Sequence, residues 1–164
     1  MNKTATFSDD KAYRYTLWRT WEPKRGYVMF IGLNPSTADE VYDDPTIRRC
    51  IGFAKSWGYG ALCMTNLFAY RATKPKKLLE AVHPIGSKNN QVLTTYAIGA
   101  SIVIAAWGIH GGLNDRDEEV KALIPCMHYL KLTNGGYPAH PLYLSKTLLP
   151  VLWKSWEKNE YKEK

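Results

Sequence analysis

The sequence predicts an α/β protein in which helices cover both faces of a central, mainly parallel sheet of four strands. Apolar stretches of strand length alternate along the chain with segments of helical apolar spacing, which is typical of a three-layer α/β/α arrangement. Residues 27–33 are almost continuously apolar, the pattern of a strand buried on both faces. With 164 residues, the chain has the length of one domain, and we expect a single domain over residues 1–164.

The first half of the chain supplies two of the four strands and one helix. Residues 13–21 alternate between apolar and polar, which indicates an N-terminal strand or hairpin beside the central sheet, and residues 22–26 form a turn. The strand at 27–33 ends in a loop. Asp44 and Pro45 then have the character of a helix cap and a first-turn proline. The helix is expected to end before Gly58, and residues 61–68 form the second buried strand.

The second half continues the alternation. Ser87 is a candidate cap for a helix to about residue 96, and residues 101–108 form the third strand. Asn114 is a candidate cap for a helix to residue 124, whose early acidic residues suit the positive end of the helix dipole. Residues 127–132 form the fourth strand. Residues 148–158 are apolar at helical spacing, so we expect a final helix with Pro150 in its first turn.

Composition restricts the class of protein and its partners. The net charge of +7 and the isoelectric point near 9.3 favour polyanionic partners, nucleic acid first, although a basic solvated surface would give the same balance. Three scattered cysteines and a polar N-terminus indicate a reducing compartment and no secretory signal. No apolar run has the length of a membrane span. We therefore expect a cytoplasmic protein without a membrane partner.

Several common catalytic and cofactor motifs are absent from the sequence. It contains no phosphate-binding GxxxxGK[ST] loop, no GxGxxG after the first strand, no HExxH and no GxSxG. The four histidines are widely spaced and do not form a metal-binding pattern. We expect no metal ion and no other cofactor.

Polar side chains follow the predicted strands at one edge of the sheet. In parallel α/β sheets the ligand binds beyond the carboxyl ends of the strands, which here selects residues 32–45, 65–75, 107–115 and 133–145. Asn34, Asn66 and His140 lie in three of these loops. Each residue alone is more often a turn or cap residue, but three of them at one edge indicate a site. We predict that residues 32–35, Asn66 and His140 meet in one cleft.

These loops resemble those of a known enzyme superfamily. FIGLNPS resembles the first motif of the uracil-DNA glycosylases, closest to the GINP form of the mismatch-specific uracil/thymine glycosylases. LCMTNLFAYRATKP, SIVIAAWG and HPLYLS resemble the second strand, the third strand and the closing HPSPLS motif, in the same order. The chain as a whole resembles more closely a microbial and phage family, domain of unknown function 1643. The pattern GLNPSTAD, DDPTIRRC, FAKSWGYG, TNLFAYRAT and HPLYL carries that likeness, which implies no particular activity.

The glycosylase resemblance implies a role for each loop residue. Asn34 would position the attacking water, and Asn66 would hydrogen-bond the flipped base. His140 would donate a hydrogen bond to the base oxygen as negative charge develops. Because an amide cannot take a proton from water, Asp39, Asp43 or Asp44 would supply a carboxylate. We place Asp39 in the catalytic set and expect Asp44 to be a helix cap.

The remaining candidates would bind the base and the backbone. Tyr42 or Phe53 could stack on the base, although Phe53 and Trp107 fit the core better. The other base-binding candidates are Gly32, Leu33, Pro35 and Ser36. The candidates for backbone phosphates are Arg48, Arg49, Arg71, Lys74 and Ser145. Small side chains at Ser36 and Thr37 indicate room for bases larger than uracil. The cluster-binding cysteines of some glycosylase branches are missing, so no iron–sulfur cluster is expected.

The sequence thus predicts a uracil-DNA glycosylase-like fold and a hydrolase that recognises uracil or a modified base in DNA, in base repair or base modification. Two alternatives remain open. One is a non-catalytic module of the same fold that binds nucleic acid or a nucleotide. The other is an enzyme that processes a free nucleoside or nucleotide.

Overall fold

The computed structural model describes residues 1–154, and within them one mixed sheet of seven strands forms the centre of the α/β fold. The strands are β1 (Asn2–Phe7), β2 (Arg14–Thr20), β3 (Tyr27–Gly32), β4 (Ala61–Asn66), β5 (Ile102–Ala105), β6 (His128–Tyr129) and β7 (Val151–Leu152). Their order across the sheet is β1-β2-β4-β3-β5-β6-β7.

Strand direction changes from the middle of the sheet to its ends. The pairings β4–β3, β3–β5 and β5–β6 are parallel, whereas β1–β2, β2–β4 and β6–β7 are antiparallel. The prediction of a mainly parallel sheet of four strands is therefore corrected to a mixed sheet of seven. The N-terminal strand expected at residues 13–21 is β2, which joins the sheet beside β4. The strands that were not expected, β1 and β7, are the two edge strands, whose formation depends on pairing with distant residues more than on their own sequence.

The helices are α1 (Pro45–Ser56), α2 (Pro75–Glu80), α3 (Asn89–Gly99) and α4 (Arg116–Leu123). The predicted start of α1 is confirmed, because Asp44 Oδ1 accepts the Ile47 N–H at 2.8 Å and Pro45 occupies the first position. The predicted caps of the next long helices are wrong. Lys88, not Ser87, precedes α3. Asn114 lies in a left-handed turn with φ of 54° before α4, a conformation that asparagine tolerates better than most residues.

The chain ends differently from the prediction. Residues 151 and 152 form β7 along the edge of β6 instead of continuing a helix, and Trp153 is buried against Trp107, with ring centroids 5.7 Å apart. Val151 and Leu152 are extended here because β6 would otherwise have unpaired backbone N–H and C=O groups along this edge, and an added strand pairs with them. The rest of the predicted final helix, residues 155–158, lies outside the described residues.

Alternate residues of β3 show how both faces of the sheet are covered. Phe30 packs in a cluster with side chains of α1, whereas Met29 and Ile31 pack in a second cluster with side chains of α2, α3 and α4. The prediction that this strand is buried on both faces is confirmed. In the part of the chain that is described, no helix is long and apolar enough to cross a membrane.

Candidate functional site

A pocket of about 440 Å³ lies at the carboxyl ends of β3, β4 and β5. We call it the carboxyl-edge pocket. Its walls come from the ends of these strands, the start of α1, and the loops that follow β3, β4, β5 and β6. The lining residues are Arg14, Gly32, Leu33, Asn34, Ser36, Asp44, Thr46, Ile47, Met64, Asn66, Ala72, Thr73, Lys74, Pro75, Trp107, Gly108, Ile109, His110, His140 and Leu142. The structure therefore brings Asn34, Asn66 and His140 around one cavity.

The absence of a side chain at Gly32 makes room for the amide of Asn66. These residues are opposite each other in the parallel pairing of β3 with β4. A Cβ atom on Gly32 would lie 2.8 Å from Asn66 Oδ1 and 2.9 Å from Met64 Cε. Both distances are shorter than van der Waals contact, so any larger residue would displace the Asn66 amide or the methionine.

The side chain of Asn34 is held by two backbone carbonyl groups. Its Nδ2 donates to the Ala72 oxygen at 2.7 Å and to the Pro35 oxygen at 3.1 Å. Because both amide protons are used in this way, Oδ1 is the end of the side chain that remains able to accept a hydrogen bond. The same contacts tie the loop after β3 to the loop after β4.

Asn66 combines a fixed backbone with a free side-chain donor. Its backbone oxygen accepts from Asn89 Nδ2 at 2.9 Å, and the next carbonyl, of Leu67, accepts from Asn89 Nδ2 and from Arg116 Nε. The residue is only 2% exposed, and its Nδ2 is buried without a partner among the described residues. An unpaired buried donor costs about 1–3 kcal/mol, so this group calls for an explanation.

His140 is oriented as a hydrogen-bond donor. Its Nδ1 accepts the Leu142 N–H at 3.2 Å, so the neutral ring carries its proton on Nε2. Although the residue as a whole is exposed at the rim of the pocket, desolvation of the ring lowers its pKa below 6.5, against a smaller opposing effect of the Asp44 carboxylate. The lowered pKa favours the neutral imidazole, which can donate a hydrogen bond from Nε2.

The acidic candidates separate clearly. Asp39 lies outside the pocket lining, in a turn where its Oδ1 accepts the Val41 and Tyr42 N–H groups at 2.8 and 2.7 Å; these bonds lower its pKa. Asp43 is paired with Arg19 at 2.7 Å. Asp44 lines the pocket while capping α1. Asp44 is therefore the one carboxylate among the lining residues, whereas Asp39, which was predicted to be catalytic, closes a turn of its own loop.

Two of the aromatic candidates lie away from the pocket. Tyr42 is 71% exposed and is not part of the lining. Phe53 is buried beside Trp57, with ring centroids 5.4 Å apart, as expected for a core residue. Trp107 is buried in the core and also forms part of the pocket wall.

A second cavity of about 540 Å³ adjoins the first. We call it the α1 groove, since it runs between α1 and the segment after His140, and Leu142 lines both cavities. Three cations border it: Arg48 and Arg49, which the sequence indicated, and Lys146, which it did not. Arg49 also donates to the Leu144 oxygen.

The other residues predicted to contact the phosphates of the DNA backbone lie in different places. Lys74 lines the carboxyl-edge pocket. Arg71 lines neither cavity; it stacks on the Phe7 ring, 4.9 Å from its centroid, and donates to the Lys11 oxygen. Ser145 is hydrogen-bonded to Thr147 and lines neither cavity, although its neighbour Lys146 does.

Arg14 is a pocket residue that the sequence analysis missed. Arg14 is the first residue of β2 and lies beside the carboxyl end of β4, because these two strands are antiparallel. Its backbone N–H donates to the Ala69 oxygen at 2.9 Å. The sequence alone does not reveal this, since the pairing of β2 with β4 is set by the topology. The pocket is also lined by Thr46, Thr73 and His110, for which no role was predicted.

No group of three or more metal-binding side chains is found among the described residues. The chain belongs to the family described as protein of unknown function (DUF1643), whose model matches residues 14–142. Searches of curated proteins and of solved structures returned no match.

Proposed function

We propose that this protein recognises a nucleobase in the carboxyl-edge pocket and hydrolyses its N-glycosidic bond in DNA, as the likeness to uracil-DNA glycosylases implies. One observation carries the proposal. Asn34, Asn66 and His140 come from three separate loops, yet all three line one pocket at the carboxyl edge of the sheet, where α/β folds bind their ligands.

Recognition would depend on Asn66. A base presents adjacent donors and acceptors on its edge, and a side-chain amide offers one of each. The buried Nδ2 of Asn66, which has no partner in the described part of the chain, would donate to a base oxygen. The small side chain of Ser36 on the pocket wall leaves space for substituted or enlarged bases.

Hydrolysis would use three groups. As the bond between C1′ and the base nitrogen breaks, its electron pair stays on the base, and the sugar becomes cation-like. His140 Nε2–H would stabilise the negative base. Asn34 Oδ1 would orient a water whose oxygen bonds to C1′, and the water proton would pass to the free oxygen of Asp44 or to solvent.

DNA would be held by the α1 groove. Arg48, Arg49 and Lys146 border this groove, which meets the pocket at Leu142. Arginine and lysine side chains neutralise phosphates and release counterions, which makes binding strongly dependent on salt. A strand lying in the groove would present a flipped base to the pocket.

A base-binding module without hydrolysis is the second candidate. Asp44 is the one carboxylate in the pocket lining, and its Oδ1 is already occupied by the cap of α1. The oxygen that accepts the Ile47 N–H is not available to activate a water, so a single carboxylate oxygen remains for that step. This arrangement would favour recognition over catalysis.

The test is a base-excision assay on oligonucleotides carrying uracil, thymine, hypoxanthine or 5-hydroxymethyluracil, with alkaline cleavage to reveal abasic sites. We expect cleavage at one or more of these bases, and a drop of about ten- to a thousandfold for His140→Ala, since one donor to a developing anion has roughly that value. Asn90→Ala, an exposed helix position, serves as the control. Binding without cleavage would support the second candidate, and neither binding nor cleavage would overturn both.

A further inference from the structure

Three arginines are buried in the described part of the chain, and one of them differs from the others. Arg19 is paired with Asp43 at 2.7 Å, and Arg116 is paired with Glu119 at 2.7 Å. Arg14, only 2% exposed, forms no ion pair with any described carboxylate. Arginine is almost never fully buried unless it is paired, so this guanidinium calls for an explanation.

The hydrogen bonds of Arg14 leave its Nε donor without a partner among the described residues. Nη1 donates to the Ala38 oxygen at 2.9 Å, whereas Nε is buried and has no partner within residues 1–154. Burial lowers the pKa of Arg14 to about 10; Asp44 and Asp39 oppose this effect, and Arg71 and Arg19 add to it. The side chain is therefore still a cation at neutral pH, and it lacks the close anion that a buried cation normally has.

The place of Arg14 in the fold indicates where that anion would come from. Arg14 lines the carboxyl-edge pocket together with Lys74, His140 and Asn66. Asp44 is the one negatively charged residue in the lining. The pocket volume of about 440 Å³ is in the range of small-molecule sites, roughly 300–1,000 Å³. A ligand bound in this pocket can therefore bring an anionic group to Arg14.

We propose that Arg14 binds a phosphoryl group of the nucleotide whose base occupies the carboxyl-edge pocket. Phosphate suits this place because its several acceptor oxygens match the fork of donors on a guanidinium. The inference rests on the proposed function for the base, and it adds the substrate class: a nucleotide, not a free base or nucleoside. The phosphate comes either from the DNA backbone beside a flipped base or from a free nucleoside monophosphate.

The first experiment needs no variant. The full chain, labelled with ¹⁵N-arginine, is titrated with inorganic phosphate at constant ionic strength, and the Nε–H resonances are followed by NMR. Arg14 is expected to shift and saturate, whereas Arg19, whose Nε donates to Asp43, and Arg116, whose Nε donates to the Leu67 oxygen, serve as internal controls and stay in place. No saturable shift of Arg14 would overturn the proposal.

The second experiment identifies the source of the phosphate. The same resonance is followed with deoxyuridine monophosphate, with deoxyuridine, and with a short single strand containing one uracil. A shift of the Arg14 resonance with the monophosphate indicates that the phosphate belongs to a free nucleotide. A shift with the strand and not with the monophosphate indicates that it belongs to the DNA backbone. A shift with deoxyuridine equal to that with both phosphorylated probes would overturn the assignment of phosphate to Arg14.

A matched pair of variants measures the effect on affinity. Arg14→Gln should weaken phosphate binding about tenfold or more, as expected for loss of charged hydrogen bonds. Arg25→Gln removes the same charge from an exposed position before β3, where the arginine is paired with Glu22, and should leave affinity unchanged. Equal affinities in both variants would contradict the proposal, and if Arg14→Gln does not fold, the titration of the unaltered protein decides.

Base excision without an Arg14 shift would overturn only this inference, whereas an Arg14 shift without excision would overturn only the hydrolysis.

Discussion

Replacing Asn66 and Asn89 with alanine, one at a time, separates a recognition residue from a structural one. The two asparagines are equally buried, at 2% and 0% exposure, and are close in the fold. They differ in their hydrogen bonds. Asn89 Nδ2 donates to the Asn66 and Leu67 oxygens, whereas Asn66 Nδ2 has no partner among the described residues.

The expected cost of each substitution follows from these bonds. Asn89→Ala removes two hydrogen bonds of about 1 kcal/mol each and leaves the Asn66 oxygen without this donor. Leu67 keeps the bond from Arg116, and the loss of the unpaired Asn89 Oδ1 offsets part of the cost. We expect a net loss of about 2 kcal/mol. Asn66→Ala removes an unpaired donor, whose burial costs stability, and also removes the packing of a buried side chain. Because these two effects have opposite signs, the free energy of unfolding should change by less than about 1 kcal/mol.

Thermal and urea unfolding, followed by circular dichroism and tryptophan fluorescence, measure the difference. For a chain of this length, about 2 kcal/mol lowers the Tm by roughly 4–8 °C, so Asn89→Ala should melt clearly below the unaltered protein and Asn66→Ala should not. Binding of a base-containing ligand should show the reverse order. If Asn66→Ala is as destabilising as Asn89→Ala, the Asn66 amide is a structural group and the argument for recognition fails.

Three further predictions concern the pocket wall, the pH response and the groove. Gly32→Ala should lower the free energy of unfolding by about 1–3 kcal/mol, because the new Cβ atom would lie 2.8 Å from the Asn66 amide oxygen. Gly52→Ala is the control: no atom lies within 4 Å of its Cβ position, so the substitution should stabilise α1 by about 0.5–1 kcal/mol. Because the pKa of His140 is lower in the folded protein, the unfolded chain takes up the proton first as pH falls. The contribution of the neutral ring to stability is therefore present above pH 6.5 and is lost as pH falls through the unfolded and then the folded pKa. NMR titration of the His140 ring should give a midpoint below 6.5. Arg48→Gln should reduce the salt dependence of DNA binding by about one counterion, whereas Arg25→Gln should not.

Each of these predictions has a clear contrary result. Equal effects of alanine at the two glycine positions would show that the pocket wall tolerates a methyl group. A titration midpoint above 6.5 would show that the His140 ring is not desolvated. An unchanged salt slope for Arg48→Gln would remove the α1 groove from the DNA interface.

The sequence predicted the interior of the fold better than its edges. Residues 27–33 are apolar enough to mark a strand buried on both faces, and Asp44 followed by Pro45 marks a helix start through local chemistry; the structure has both. Residues 2–7 are mainly polar, and β1 forms because β2 pairs with them along their whole length. Residues 151–152 join the sheet because β6 has an open edge. Such pairings join residues far apart in the sequence, which local patterns do not encode.

The candidate site was predictable in outline and not in detail. The rule that ligands bind at the carboxyl ends of parallel strands selected the loops that carry Asn34, Asn66 and His140. Which carboxylate of residues 39–44 faces the pocket depends on the turn that Asp39 makes with Val41 and Tyr42, and a turn of this kind is not specified by the loop composition. Arg14 was missed because its position depends on the antiparallel pairing of β2 with β4.

The central claim is that the Asn66 amide reads a nucleobase, and side-chain amide NMR tests it directly. The ¹⁵N-labelled protein is titrated with single strands carrying uracil, thymine, hypoxanthine or 5-hydroxymethyluracil and with a strand that has an abasic site. We predict that the Asn66 Nδ2 protons shift and saturate with at least one base and not with the abasic strand, while those of Asn90, which donates to Glu119 on the surface, stay in place. An Asn66 resonance that does not move with any base, or moves equally with the abasic strand, would contradict the account.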